Sequence, residues 1–166
     1  IKTKLIEKEL KQNLSLKRIS VNRQIFPFGL NIKILTRKPV ALANREVNGI
    51  KVEGFVDKDG VFINKKYLPE TENLIFPVKI TGWDKDYKKL ISLIIKKYED
   101  NDDLEVIKIS SEGFITLEEN FLQKIYLGSQ IQELEEKLNL IFDIKEQIKN
   151  KKITKKIKSL DLTDLT

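Results

Sequence analysis

The sequence predicts an α+β fold, and three observations lead to this prediction. Several segments of the 166-residue chain repeat apolar residues at the spacing of an amphipathic helix. About nine short segments instead alternate apolar and polar residues, as half-buried strands do. Turn residues separate these segments, and neither an internal repeat nor a Gly/Ser-rich linker interrupts the chain.

The first 36 residues predict a helix followed by a β-hairpin. Lys2–Asn13 is rich in Lys and Glu and places its leucines and isoleucines along one helical face. Ser15–Arg23 then alternates with period two, and Gly29–Thr36 does so again. These features together predict a small α+β unit.

The turn that joins the two hairpin strands contains the sequence Phe26-Pro27-Phe28-Gly29. Aromatic side chains are usually buried, so we expect Phe26 and Phe28 to lie in the core. The alternative is that this turn, together with Arg23, contacts a partner.

The next segment predicts a strand and then a second hairpin. Pro39 favours the start of a strand or an edge strand, because proline cannot donate to a sheet ladder. Ile50–Val56 and Val61–Ile63 flank Asp57-Lys58-Asp59-Gly60, which has the composition of a hairpin turn. The same four residues are typical of part of a calcium loop, but the later Glu ligand is missing, since position 66 is Lys66. A plain turn is therefore predicted.

The second half of the chain predicts two further helices among short strands. Lys85–Tyr98 has the clearest helical stripe, and Asp84 is suited to cap it. Trp83, just before this helix, is interpreted as a plug of the core or of a sheet edge. A last helix is predicted from Ser129 to about Lys149. The predicted strands are Leu104–Ile109, Phe114–Leu117, Phe121–Leu127 and a short final one at Leu160–Thr163.

Composition argues against an enzyme. The chain has no His and no Cys, so it has neither an imidazole base nor a thiolate nucleophile. No P-loop, GxGxxG or GxSxG motif occurs. The acidic run Glu99–Asp103 is interpreted as a solvated turn rather than a cation site. We therefore predict no catalytic residue, no cofactor and no metal, and a binding module instead.

The net charge of +6 is compatible with an anionic partner. Of the 31 basic residues only four are Arg, the side chain that nucleic-acid readers favour. The stretch Lys149–Lys158 is rich in lysine and is interpreted as a solvated connector, with an anionic partner or membrane headgroups as the alternative. A basic nucleic-acid-binding module remains an alternative function.

An ordered series of short motifs resembles the FtsQ/DivIB family of bacterial divisome proteins, especially its cyanobacterial members. The series begins with Phe26-Pro27-Phe28-Gly29-Leu30 and Arg37-Lys38-Pro39-Val40-Ala41, where Thr36 stands in place of the usual Glu. It continues with Gly54-Phe55-Val56-Asp57, Leu68-Pro69 and Ile80-Thr81-Gly82. It ends with Leu127-Gly128, Glu136-Lys137-Leu138 and Leu160-Asp161-Leu162-Thr163.

This resemblance implies a domain organisation. Residues 1–36 would form the second half of a POTRA domain, and residues 37–166 would form an FtsQ-type β domain, a mixed, mainly antiparallel sheet with two helices. The chain contains no Met and opens at Ile1, so we expect a piece of a longer protein. The family has a single transmembrane helix upstream, which implies a plasma-membrane protein with this region on the extracytoplasmic, periplasmic side.

The resemblance also implies a non-enzymatic scaffold that recruits division proteins at the septum. The implied partners are FtsB/DivIC-like and FtsL-like coiled-coil proteins, bound through the last strand of the β domain by strand addition. The candidate partner-binding residues are Ile157, Ser159, Leu160, Asp161, Leu162 and Thr163. Packing of Leu160 and Leu162 on the last helix is the alternative for these two side chains. A POTRA-bearing module of a transport or outer-membrane assembly system is a further alternative function.

Overall fold

The computed structural model describes residues 2–14, 16–68, 74–151 and 157–164. Its first part, here called the hairpin unit, consists of helix α1 (Thr3–Asn13) and strands β1 (Arg18–Gln24) and β2 (Gly29–Leu35). The two strands pair in antiparallel register and form a two-stranded sheet of their own. The predicted order of helix and hairpin is confirmed.

Helix α1 covers only the β1 half of this small sheet. Val21 of β1 is buried, and its backbone N–H donates a hydrogen bond of 2.6 Å to Oε1 of Glu7 on α1. On the same face, the β2 side chains Ile32 and Ile34 are exposed, although they lie opposite Val21 and Ile19 of β1. The β2 half of the face is therefore only partly covered by the described residues.

The remaining strands form an eight-stranded sheet. We call this sheet and the helices that pack on it the sheet unit. From one edge to the other the strand order is β10-β9-β8-β7-β6-β3-β4-β5. The strands are β3 (Pro39–Val47), β4 (Ile50–Asp57), β5 (Phe62–Asn64), β6 (Val78–Thr81), β7 (Leu104–Ile109), β8 (Ile115–Glu119), β9 (Gln123–Gly128) and β10 (Ser159–Asp161). Including the hairpin unit, five of the eight strand pairs are antiparallel. The pairs β3–β6, β6–β7 and β9–β10 are parallel, so the sheet is mixed, as predicted.

Helices α2 (Lys88–Lys97) and α3 (Leu134–Asn150) pack on one face of this sheet. A buried row crosses four adjacent strands in register, through Ile80, Ile107, Leu117 and Ile125, and none of these side chains is exposed. Every fully buried residue of this core lies between Ala41 and Leu162. The main core therefore belongs to the sheet unit alone.

Several predicted boundaries shift in the structure. The first strand begins at Arg18 rather than Ser15, the strand predicted from Phe121 begins at Gln123, and the last strand is Ser159–Asp161 rather than Leu160–Thr163. Pro39 is the first residue of β3, as expected, but the strand continues to Val47. The helix predicted from Lys85 begins with a 3₁₀ turn at Lys85–Tyr87, and the last helix likewise begins with one at Ile131–Glu133. Of the helices in the described segments, none has the length and apolarity needed to cross a membrane.

The prediction that Phe26 and Phe28 are core residues is wrong. Their side chains are 89% and 91% exposed. They lie in the turn beyond the last paired residues, Gln24 and Gly29, and no described element reaches that far along the hairpin. A general tendency of aromatic residues to be buried cannot act where nothing packs against them.

Candidate functional site

The candidate partner-binding residues lie on an edge strand of the described sheet. Strand β10 pairs only with β9, in parallel register, with Ser159 opposite Lys124 and Asp161 opposite Tyr126. The pairing continues one residue further, because the Leu162 N–H donates a hydrogen bond of 2.8 Å to the Tyr126 carbonyl. The other long side of β10 has no strand beside it in the described residues.

The backbone of β10 presents hydrogen-bonding groups at this edge. Backbone N–H and C=O groups alternate in direction along a strand. The Leu162 N–H points to β9, so the N–H and C=O of Leu160, two residues earlier, point to β9 as well. The N–H and C=O groups of Ser159 and Asp161 therefore point away from β9. We call these outward groups of Ser159 and Asp161 the β10 edge. An extended segment that paired with them would become a ninth strand.

The side chains of the predicted site point to two different faces. Leu162 is buried, and Leu160 and Ile157 pack against the core from partly buried positions. Leu160 lies opposite Ile125, a fully buried residue of β9. Both leucines therefore support the strand by packing against the core, Leu162 fully and Leu160 with part of its side chain still accessible.

Ser159 and Asp161 lie on the opposite face of the sheet and are exposed. Asp161 Oδ1 accepts hydrogen bonds from the Thr163 N–H at 2.9 Å and from its hydroxyl at 2.6 Å. These bonds lower the pKa of the Asp161 carboxyl below its ordinary value. The carboxylate thus forms a turn that ends β10, because the Thr163 N–H is bonded to the Asp161 side chain instead of to a neighbouring strand.

Lys137 of α3 fixes the end of β10 from inside the protein. Its side chain is fully buried, and Nζ donates to the Leu127 carbonyl at 3.0 Å and to the Thr163 carbonyl at 2.9 Å. Nζ also lies 3.2 Å from Oε2 of Glu133, one helical turn earlier. The ammonium group therefore joins the ends of β9 and β10 to α3, which is how a buried charge is made tolerable.

Gly128 leaves space for this connection. Its φ of +74° lies in the left-handed region, and a Cβ at this position would stand 3.1 Å from Cγ2 and 3.2 Å from the carbonyl oxygen of Thr163. A larger residue would press on the segment that follows β10. The Leu127-Gly128 pair thus contributes both a carbonyl ligand and the room for Thr163.

Sequence reasoning missed Lys137 as a site residue, although a signal was present. In α3 the buried positions follow helical spacing through Leu134, Leu138 and Ile141. Lys137 and Lys145 occupy positions in this same apolar stripe. A lysine at a core position predicts a buried polar partner, which here is the pair of carbonyls.

Lys145 belongs to a second buried polar cluster. Its Nζ lies 2.6 Å from Oε2 of Glu119 and 3.0 Å from Oδ2 of Asp103. Tyr98 donates its hydroxyl to the same Glu119 oxygen at 3.1 Å. Burial and the Glu119 charge raise the pKa of Tyr98 well above its ordinary value, so the folded phenol keeps its proton into the alkaline range. The cluster joins the end of α2 to α3 and β8.

The hairpin turn at Asp57-Lys58-Asp59-Gly60 is confirmed and is tied to the start of the sheet unit. Asp57 Oδ2 lies 2.5 Å from Nη1 of Arg37, and Asp57 Oδ1 accepts the N–H groups of Asp59 and Val61. The Gly60 N–H closes the turn on the Asp57 carbonyl at 2.9 Å. Throughout the described segments no group of three or more metal-ligating acidic side chains occurs.

Trp83 has the predicted plugging role. Its indole N–H donates to the Gly60 carbonyl at 2.9 Å, and its ring packs against Phe62 with centroids 5.2 Å apart. The guanidinium of Arg45 stands over both rings. The tryptophan therefore closes one end of the core and fixes the β4–β5 turn.

Comparison with known proteins leaves the family open. No protein-family model matches the chain, and no curated protein matches it at a significant level. Any functional assignment must therefore rest on the motif series, the fold and the geometry of the β10 edge.

Proposed function

We propose that the chain is the extracytoplasmic part of an FtsQ/DivIB-type scaffold of the divisome. In this proposal it is anchored in the plasma membrane by an upstream helix, catalyses no reaction, and binds FtsB/DivIC-like and FtsL-like coiled-coil proteins. The observation that carries the proposal is the β10 edge, where Ser159 and Asp161 present backbone groups that no described strand pairs, on a strand that Lys137 holds in place. Strand addition needs an edge of this kind, open on one side and rigid on the other.

Residues from different motifs of the series contact one another in the folded chain, and these contacts support the proposal. Arg37, from the fragment Arg37-Lys38-Pro39-Val40-Ala41, forms an ion pair with Asp57, from the fragment Gly54-Phe55-Val56-Asp57. The Leu127 carbonyl, the Lys137 ammonium and the Thr163 carbonyl, from three later motifs, form one hydrogen-bonded group. Fragments that are weak signals in the sequence thus have joint structural roles, which is what members of one family would share.

The separate sheets support the proposed division at residue 36. Residues 1–36 would be the second half of a POTRA domain, and residues 37–166 would be the β domain. The exposed β2 half-face, with Leu30, Ile32 and Ile34, is compatible with a strand and helix supplied from upstream. A POTRA-bearing transport module would share this hairpin unit, but it gives no role to the eight-stranded sheet and its edge.

A capture experiment tests the proposal. The full chain is immobilised at moderate salt and offered the coiled-coil division proteins of its host. The test variant is Ser159→Pro, which removes one outward N–H at the first residue of β10, where proline is tolerated. The matched control is Ser111→Pro, at the second position of the turn closed by the Gly113 N–H on the Ser110 carbonyl.

We expect the unaltered chain and Ser111→Pro to capture an FtsB/DivIC-like protein, and Ser159→Pro to lose at least about tenfold in affinity, because a strand ladder cannot form fully without that donor. Equal capture by both variants would contradict binding at the β10 edge. Capture of nucleic acid alone, weakened steeply by salt, would favour the basic binding module instead.

A further inference from the structure

The end of the hairpin unit exposes a group of large apolar side chains. Residues 25–28, here called the hairpin tip, contain Ile25, Phe26 and Phe28, which are 80%, 89% and 91% exposed. Three large apolar side chains so exposed on one turn form a patch that soluble surfaces usually avoid. Neither the β10 edge nor the open β2 half-face accounts for it, because the tip lies beyond the last paired residues of the hairpin.

The charge of the chain is concentrated in the same unit. Residues 1–36 contain eight of the 31 basic residues and only two of the 25 acidic ones, so they carry the entire net charge of +6. The remainder of the chain holds equal numbers of basic and acidic residues. The apolar tip therefore belongs to a cationic unit attached to a neutral one.

Some of these cations stand just behind the tip. The Glu7–Val21 hydrogen bond fixes α1 alongside β1, and the chain reverses between the two elements. From that contact, Lys2 lies about 7 Å along the helix and Arg23 about 7 Å along the strand, in the same direction. Lys2, Lys4 and Arg23 are exposed. They place positive charge at the end of the hairpin unit that carries the tip.

We propose that the hairpin tip inserts into the interface of an anionic lipid bilayer. The tip is a turn with three almost fully exposed apolar side chains, which suits insertion among acyl chains, and the cations behind it lie where anionic headgroups would be. Interfacial elements enter a bilayer by about 5–10 Å, which matches the distance by which a turn of this size extends beyond Arg23. Apolar burial and headgroup attraction supply the two signals that stable membrane association needs.

This surface is independent of the β10 edge, which lies at an end of the other sheet. The inference goes beyond the proposed scaffold function and does not rest on it. In a membrane-anchored protein, tip insertion would fix how the sheet unit stands relative to the bilayer. The alternative is that the tip binds in a pocket of another protein.

Vesicle co-sedimentation tests the proposal with the full chain. Vesicles of phosphatidylglycerol mixed with phosphatidylcholine are compared with vesicles of phosphatidylcholine alone. The test variant replaces Phe26 and Phe28 by Ser, and the matched control is Ile75→Ser, which removes a side chain that is 94% exposed in the sheet unit. Both changes are at exposed positions, so thermal unfolding is expected to stay unchanged and confirms that each variant is folded.

We expect the unaltered chain to bind the mixed vesicles, and this binding to weaken with salt. Its binding to the neutral vesicles should be at least about tenfold weaker. The Phe26→Ser, Phe28→Ser variant should show a similar loss on the mixed vesicles, whereas Ile75→Ser should not. A Phe28→Trp variant should show quenching by brominated lipid beyond that of Trp83 in the unaltered chain. Absent binding to mixed vesicles, or binding that the double variant retains, would overturn the proposal. Loss of capture of a division protein by the double variant, without vesicle binding by the unaltered chain, would overturn it in favour of a protein pocket.

Discussion

Lys137 and Lys145 lie in the buried stripe of α3, and their partners explain their positions. Lys137 meets two backbone carbonyls at the ends of β9 and β10, whereas Lys145 meets the carboxylates of Glu119 and Asp103. Buried cations are stable only when such partners replace the lost water. At the residue scale these two side chains link α3 to the sheet at two separate points.

Replacing Lys137 by Met removes the charge but keeps much of the volume. We expect the free energy of unfolding to fall by about 1–3 kcal/mol, since the Leu127 and Thr163 carbonyls lose their buried donor. Amide hydrogen exchange should accelerate most in β10, which Lys137 holds through Thr163. Urea unfolding measures the first effect, with Lys89→Met, at an exposed position of α2, as the control. Equal stability of the two variants would contradict the role given to Lys137.

Tyr98 predicts a stability change at alkaline pH. Its pKa is raised in the folded chain by burial and by Glu119, above the ordinary value of 10.0 that an unfolded chain would show. Above about pH 10 the phenol of the unfolded chain loses its proton while that of the folded chain keeps it, which favours the unfolded chain. The contribution of Tyr98 to the free energy of unfolding is therefore complete below that pH. It falls as the pH rises further, by up to ~1.4 kcal/mol per pH unit.

Tyr98→Phe isolates this effect from the titration of the many lysines. Below pH 9 the variant should be less stable by about 1 kcal/mol, because the hydrogen bond to Glu119 is lost. The difference from the unaltered chain should shrink as the pH rises above 10. Urea unfolding at a series of pH values measures it, and a constant difference would contradict the raised pKa.

At the scale of elements, the Arg37–Asp57 pair joins the start of β3 to the β4–β5 turn. Both side chains are largely buried, and their closest atoms lie 2.5 Å apart. Asp57 in addition holds the turn through two backbone N–H groups. Removing either partner leaves a poorly solvated charge, which costs more than losing an exposed pair.

A double-mutant cycle with Arg37→Met and Asp57→Asn should therefore give a coupling energy above about 1 kcal/mol. The matched control is the pair Lys108–Glu118, which joins neighbouring strands at 2.6 Å but is more exposed. Its cycle, with Lys108→Met and Glu118→Gln, should give less than about 1 kcal/mol. Equal coupling in both cycles would show that burial does not strengthen the Arg37–Asp57 pair.

The elements that periodicity predicts best are those whose signal is local. The helix at Lys2–Asn13 and the strand at Leu104–Ile109 follow directly from spacing, and both are confirmed. The parallel pairs, and the place of β10 beside β9, depend on tertiary packing and have no local signal. The edge position follows only from the family resemblance. The spacing of Leu160 and Leu162 leaves partner contact and inward packing open, and the register and burial decide for packing.

At the scale of the whole molecule, the two units differ in core and in charge. Among the residues that the structure describes, the main core begins at Ala41, and residues 37–166 carry no net charge. The hairpin unit has a half-covered sheet and the full charge of +6. Only the sheet unit therefore has what an independently folding domain needs.

A chain comprising residues 37–166 should fold alone. We expect cooperative thermal unfolding of this fragment, because its core cluster is complete without the hairpin unit. We also expect it to elute from a cation exchanger at much lower salt than the full chain, whose pI is about 9.3. A fragment that unfolds without cooperativity would show that the hairpin unit contributes to the main fold.

Amide hydrogen exchange on the complex with an FtsB/DivIC-like protein tests strand addition at the β10 edge most directly. If a partner strand pairs there, binding slows exchange at the Ser159 and Asp161 amides, which face outward, and changes little at Leu162, whose N–H is already bonded to Tyr126 in the free chain. Protection confined to the opposite edge at β5 or to the hairpin unit, with Ser159 and Asp161 still exchanging freely, would contradict it.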